Sequence, residues 1–134
     1  MRFRKIFLLS VWTLILLTAF VLHNQNPGET KYFPQCAFHG ISGLHCPGCG
    51  AARAIHSMLS GDILGALKNN LFLVILAPAI FWLLILDTAR EFWGFKPKLK
   101  PAPAALLVLL FVLLVLYTVL RNIPGPPWDF LRPE

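Results

Sequence analysis

The sequence predicts an all-α integral membrane protein, and three observations predict it. The chain has 134 residues, of which 57% are hydrophobic and only 13% charged. A soluble domain of this size has much surface for its volume and needs polar residues to cover it. Three long apolar runs carry no charge at all: Ile6–Leu22, Leu71–Leu86 and Ala104–Leu120. The basic residues flank these runs, as orienting charges do at a bilayer. The length suits one domain, residues 1–134.

Each run is read as a spanning helix, about residues 6–22, 71–86 and 104–120, because only helices and closed barrels satisfy their backbone in lipid. All three are short for a hydrocarbon core of about 30 Å. Phe3, Leu67 and flanking small residues can extend them by a turn. The first run follows Arg2, Arg4 and Lys5, as a secretory signal would. Its apolar stretch is longer than a usual signal core, and no small-x-small cleavage site follows in LHNQNPGE, so a retained anchor helix is expected. Pro78 lies inside the second run, where it removes one helix hydrogen bond and predicts a kink or local opening.

Charge asymmetry gives an orientation. With the N-terminus in the cytoplasm, residues 1–5 and 87–103 hold seven basic residues in 22 positions. The opposite segments, 23–70 and 121–134, hold five in 62 positions. The expectation is a multi-pass protein of the cell (inner) membrane, with residues 23–70 and the C-terminus extracytoplasmic. The proline-rich KPKLKPAP stretch is expected to be extended and to lie near anionic headgroups. Trp128 and Phe130 suit the interface. The net charge of +6 does not point to nucleic acid, because no basic stripe interleaved with aromatics accompanies it. The expected partner is the lipid bilayer, together with self or another membrane protein, since three short helices enclose little interior.

The chemistry is concentrated in the outer segment. Cys36, Cys46 and Cys49 are the only cysteines, and three of the four histidines, His39, His45 and His56, share the same 21 residues. Pro47, Gly48 and Gly50 make CPGCG a tight turn. A helix is expected from about Ala51 to Leu59. Gly61 then ends it and Asp62 caps the next helix. Asn70 is placed to cap the second spanning helix. The whole segment reads as a membrane-apposed helical hairpin.

The string Cys36 … Gly43-Leu44-x-Cys46-Pro47-x-Cys49-Gly50-x-x-Arg53 … Gly61-Asp62-x-x-x-Ala66-x-x-x-Asn70 resembles the bacterial membrane family catalogued as domain of unknown function 2752, over about residues 36–85. This chain has Ala52 where that family usually has Thr or Ser, and Asn70-Leu71 where it has Asn-Pro. The resemblance implies a small membrane protein and no particular reaction.

Three readings of the cysteines stand side by side. An extracytoplasmic compartment permits disulfides, so Cys36 can pair with Cys46 or Cys49 as a structural staple of roughly 2–3 kcal/mol. CPGCG also has the form of a metal knuckle. Cys36 and His39 would then complete a Cys3His zinc set with Cys46 and Cys49. Finally, Cys46 and Cys49 form a CxxC at a helix N-terminus, where the helix dipole favours thiolate. Arg53 falls one turn beyond Cys49, and Cys36 could serve as the resolving thiol of a membrane thiol–disulfide oxidoreductase. Arg53 equally suits carbonyl capping or lipid phosphate. No nucleophile elbow, P-loop or dinucleotide fingerprint is present. A non-enzymatic structural or binding role is therefore the leading expectation, with no catalytic residue beyond the candidates Cys46 and Cys49.

Overall fold

The computed structural model describes residues 2–28, 33, 36–95 and 103–132. The described residues are helical, with no strand among them. Five α-helices follow one another: α1 (Arg2–Asn24), α2 (Ala37–Ser42), α3 (Ala51–Leu59), α4 (Ile63–Trp93) and α5 (Ala104–Leu120). A short 3-10 turn, Trp128–Leu131, closes the described tail.

Helix α1 contains neither glycine nor proline, and it ends just before the Asn26-Pro27-Gly28 turn. Its 23 residues span about 35 Å at 1.5 Å per residue. Helix α4 is longer than the second apolar run at both ends. The residues DTAREFW, expected to begin the inner loop, continue the helix instead. They hold no breaker until Gly94, which caps the helix in the left-handed region at φ +67°. At the start of α4, the Asp62 carboxylate accepts the Gly65 N–H at 2.9 Å, the expected cap. The opening expected at Pro78 lies elsewhere. Asn70 is the residue inside α4 with non-helical dihedrals (φ −159°, ψ 89°), while Pro78 stays within the helix. Asn70 Oδ1 accepts the Leu73 N–H at 2.9 Å, so it caps the long limb of α4 as the sequence predicts. Helix α2 has no counterpart among the sequence expectations, and it ends at Gly43 with φ +70°. Of the KPKLKPAP stretch expected to be extended, residues 96–102 are outside the described residues, and Pro103 is extended at φ −62°, ψ 143°.

Helices α1 and α4 are long and apolar enough to cross a membrane. The 17 residues of α5 reach about 26 Å. Large side chains stand exposed along all three, among them Phe7, Leu16, Phe81, Leu107 and Phe111. Contiguous apolar surface on this scale calls for lipid or a partner as solvent.

Contacts along the helices fix their relative directions. At one end, Arg4 pairs with Asp87 at 3.2 Å and with Glu91 at 3.8 Å, and Lys5 lies over the Phe92 ring. Nearby, Trp12 donates to Thr88 Oγ1 at 3.0 Å and meets Phe81 edge to face. At the other end, His56 of α3 bonds the Leu22 carbonyl at the close of α1. The beginning of the long α4 limb and the close of α5 lie there too, joined by Phe72 stacked on Tyr117 at 5.7 Å. Most of the buried residues gather at this second end: Cys49, Ala54, Ala66, Asn70, Tyr117 and Arg121.

Candidate functional site

The buried end of the bundle is built around the CPGCG turn. The Cys49 N–H bonds the Cys46 carbonyl at 3.1 Å, and the Ala51 N–H bonds the Gly48 carbonyl at 3.0 Å. Gly50 takes φ +78°, a left-handed conformation that explains the final glycine of the motif, and α3 starts from it. Cys36 sits at the N-cap of α2, which turns its sulfur back toward the motif.

These elements bring the three cysteines together. Their sulfurs all lie within 4.8 Å of one another. Cys36 Sγ is 3.4 Å from Cys46 Sγ, and Cys46 Sγ is 3.3 Å from Cys49 Sγ. All three are free thiols. The gaps are far beyond the S–S bond of about 2.05 Å. They lie close to the ~3.8 Å between sulfurs bound tetrahedrally to zinc at ~2.3 Å.

The thiols differ electrostatically. Cys36 is lowered from 9.0 to about 7, chiefly because the His39 amide faces its sulfur, with help from the Cys46 and Cys49 thiols. Cys49 is buried, and burial pushes its thiol up to about 12. A cation entering the cluster would reverse the second effect, since coordination deprotonates a thiol outright.

The turn is held by side chains from two apolar helices. Asn70, 1% exposed, donates to the Pro47 carbonyl at 2.9 Å and to the Cys49 carbonyl at 3.2 Å. Its own oxygen also receives the Tyr117 hydroxyl at 3.4 Å. Arg121, with no exposed surface, donates to the Cys46 carbonyl at 3.2 Å and the Cys49 carbonyl at 3.1 Å. Asn122 brackets the residue before the motif, accepting the His45 N–H at 2.7 Å and donating to the His45 carbonyl at 2.9 Å. The tail turn closes over this end through Arg132, which donates to the Arg121 and Asn122 carbonyls at 3.4 Å.

The structure therefore assembles some of the expected residues and leaves others apart. Cys36, Cys46 and Cys49 converge. His39, the expected fourth ligand, is not in the cluster. Its ring instead stacks on His45, with centroids 4.4 Å apart, and the Nδ1 of each ring is buried without a hydrogen-bond partner. Burial and the neighbouring His39 lower the pKa of His45. Arg53 packs against Gly28 and makes no hydrogen bond or ion pair among the described residues. Gly61 and Asp62 shape the α3–α4 junction and are not among the residues that converge with the sulfurs. Arg121, Asn122 and Tyr117 are the residues that sequence reasoning missed. In the sequence, Arg121 stands out only as a basic residue after an apolar run.

Residues 36–84 match the model of a family described as a protein of unknown function (DUF2752). The match covers a little over a third of the chain and bears out the resemblance read from the cysteine motif. It includes all three cysteines and Asn70, but not Tyr117, Arg121 and Asn122 of the α5 end. No curated protein and no solved structure matches the chain.

Proposed function

We propose that this protein is a non-enzymatic membrane protein whose Cys36, Cys46 and Cys49 thiolates bind a soft divalent metal ion, zinc foremost, at the membrane surface. The convergence of all three sulfurs carries this reading. A staple would need only two cysteines in contact and would give the third no reason to join them. Zinc favours thiolate ligands in closed tetrahedral sites, and a site of this kind contributes directly to folding. The bound ion would tie the start of α2 to the start of α3 across the ten-residue separation of Cys36 and Cys46.

The setting we propose is a three-span protein with a cytoplasmic N-terminus and an extracytoplasmic metal loop. Two features support it: the basic bias of segments 1–5 and 87–103, and the placing of the loop, the end of α1 and the end of α5 at one end of the bundle. An impermeant thiol reagent applied to chelator-treated whole cells should label the cysteines. Labelling only after lysis would contradict the orientation.

One sample tests the metal. The protein is purified in mild detergent without reductant, and its metal and free thiols are both counted. The expected result is one zinc per chain and three thiols that alkylate only after chelation. A disulfide, one free thiol and no metal would refute the reading. One observation favours a second reading, thiol–disulfide exchange: the lowered value of Cys36, which sits beside Cys46. A disulfide that equilibrates with a mild redox buffer would support exchange over metal.

A further inference from the structure

Arg121 is the most unusual residue in the molecule. It is a guanidinium with no exposed surface, lying directly behind the cysteine turn. Burying a charge is costly unless another charge compensates it. Among the described residues Arg121 has no carboxylate partner. It contacts two carbonyls of the CPGC turn and the Tyr117 ring, 5.1 Å from the guanidinium carbon, and its Nε has no acceptor. Carbonyls and a ring provide partial charges only. Its two hydrogen-bond partners are the backbone carbonyls of Cys46 and Cys49, so the residues it holds carry thiols that can supply a full negative charge.

We infer that Arg121 is the built-in counter-charge of the cysteine centre: it balances an anionic complex of three thiolates around one divalent cation. This rests on the metal reading above and adds the charge state of the occupied site. Three thiolates and a divalent ion sum to a single negative charge, which one guanidinium neutralises. A disulfide with a remaining neutral thiol would leave Arg121 buried without an anion. Two carbonyl bonds from one planar guanidinium also fix the separation of Cys46 and Cys49, so Arg121 positions the ligands as well as balancing them. Arg121 lies outside the family match, so the counter-charge is supplied by α5 rather than by the motif segment.

The test is zinc affinity, measured by competition with a chromogenic chelator at fixed pH on full-length detergent-solubilised protein. Wild type, R121K and R121Q are compared, with helicity checked by circular dichroism before zinc is added. R121Q should bind zinc about ten- to a hundredfold more weakly, and R121K, which keeps the charge but not the fork, should lose less. R121Q binding as tightly as wild type would overturn the inference, and so would R121K losing as much as R121Q. Should R121Q fail to fold, R121K decides alone: a loss within about tenfold supports the inference and a larger loss overturns it. Wild type that takes no zinc would instead overturn the metal reading itself.

Discussion

The two ends of the helix bundle are held in different ways. At the Arg4 end, the helices meet through a more exposed ion-pair network: Arg4 is 63% exposed and its closer partner Asp87 40%, with only the more distant Glu91 largely covered at 11%. Such pairs add little, because solvent screens them and long side chains lose freedom to form them. At the cysteine end, Asn70, Arg121 and Asn122 make hydrogen bonds to backbone groups of residues 45–49, and Asn70 and Arg121 are almost wholly buried. Buried polar groups are costly to leave unpaired, so each of these contacts constrains the structure strongly. Specificity is therefore concentrated at the cysteine end. Between the ends, helices of leucine, valine and phenylalanine need only a hydrophobic surrounding; at the cysteine end, particular atoms must meet.

Reactivity should show the largest contrast. In metal-free protein the Cys36 value lies below its ordinary 9.0, so its thiolate dominates above about pH 7 and fades as the pH falls through that value. Cys49, at about 12, stays protonated across the neutral range. Alkylation followed residue by residue with mass spectrometry should find Cys36 half-maximally reactive near pH 7 and Cys49 slower by orders of magnitude. Equal rates at neutral pH would mean that the buried end is open.

Stability should follow the same contrast on a smaller scale. Asn70→Ala strands the Pro47 carbonyl and the Leu73 N–H and removes a donor from the Cys49 carbonyl. A loss of about 3 kcal/mol is expected from the uncompensated groups, read as a lower denaturation midpoint and faster alkylation of Cys49. Asp62→Ala removes a single helix cap at the α3–α4 junction and should cost about 1 kcal/mol. Arg4→Gln, at the exposed end, should cost no more than about 0.5 kcal/mol. A larger loss from Arg4→Gln than from Asn70→Ala would reverse the comparison.

Much of this organisation was legible in the sequence where local chemistry decides it. The helix Ala51–Leu59, the Gly61 stop, the Asp62 cap and the Asn70 cap each follow from a residue acting on its own neighbourhood. The third apolar run, Ala104–Leu120, became α5 with the same bounds. What escaped was non-local. Nothing in the tripeptide Leu120-Arg121-Asn122 announces that it reaches residues more than 70 positions earlier, because a basic residue after an apolar run ordinarily marks the membrane edge. Helix α2 was hidden by its brevity and by the glycines on and beside it. The Cys36-x-x-His39 spacing suits a ligand pair, whereas the fold stacks the imidazole on His45, a contact that spacing alone does not announce. The site's cysteines could be picked out from sequence; of the side chains that brace them, Asn70 belongs to the motif, while Arg121 and Asn122 follow α5, apart from it.

The decisive question for this protein is whether the three sulfurs share one metal ion. X-ray absorption at the zinc edge of protein purified in detergent measures this directly. Three sulfur scatterers at about 2.3 Å from a single zinc are expected, and they should be lost on Cys49→Ser. A zinc shell of nitrogen and oxygen alone, or protein without metal and with a Cys36–Cys46 or Cys46–Cys49 disulfide, would contradict that expectation.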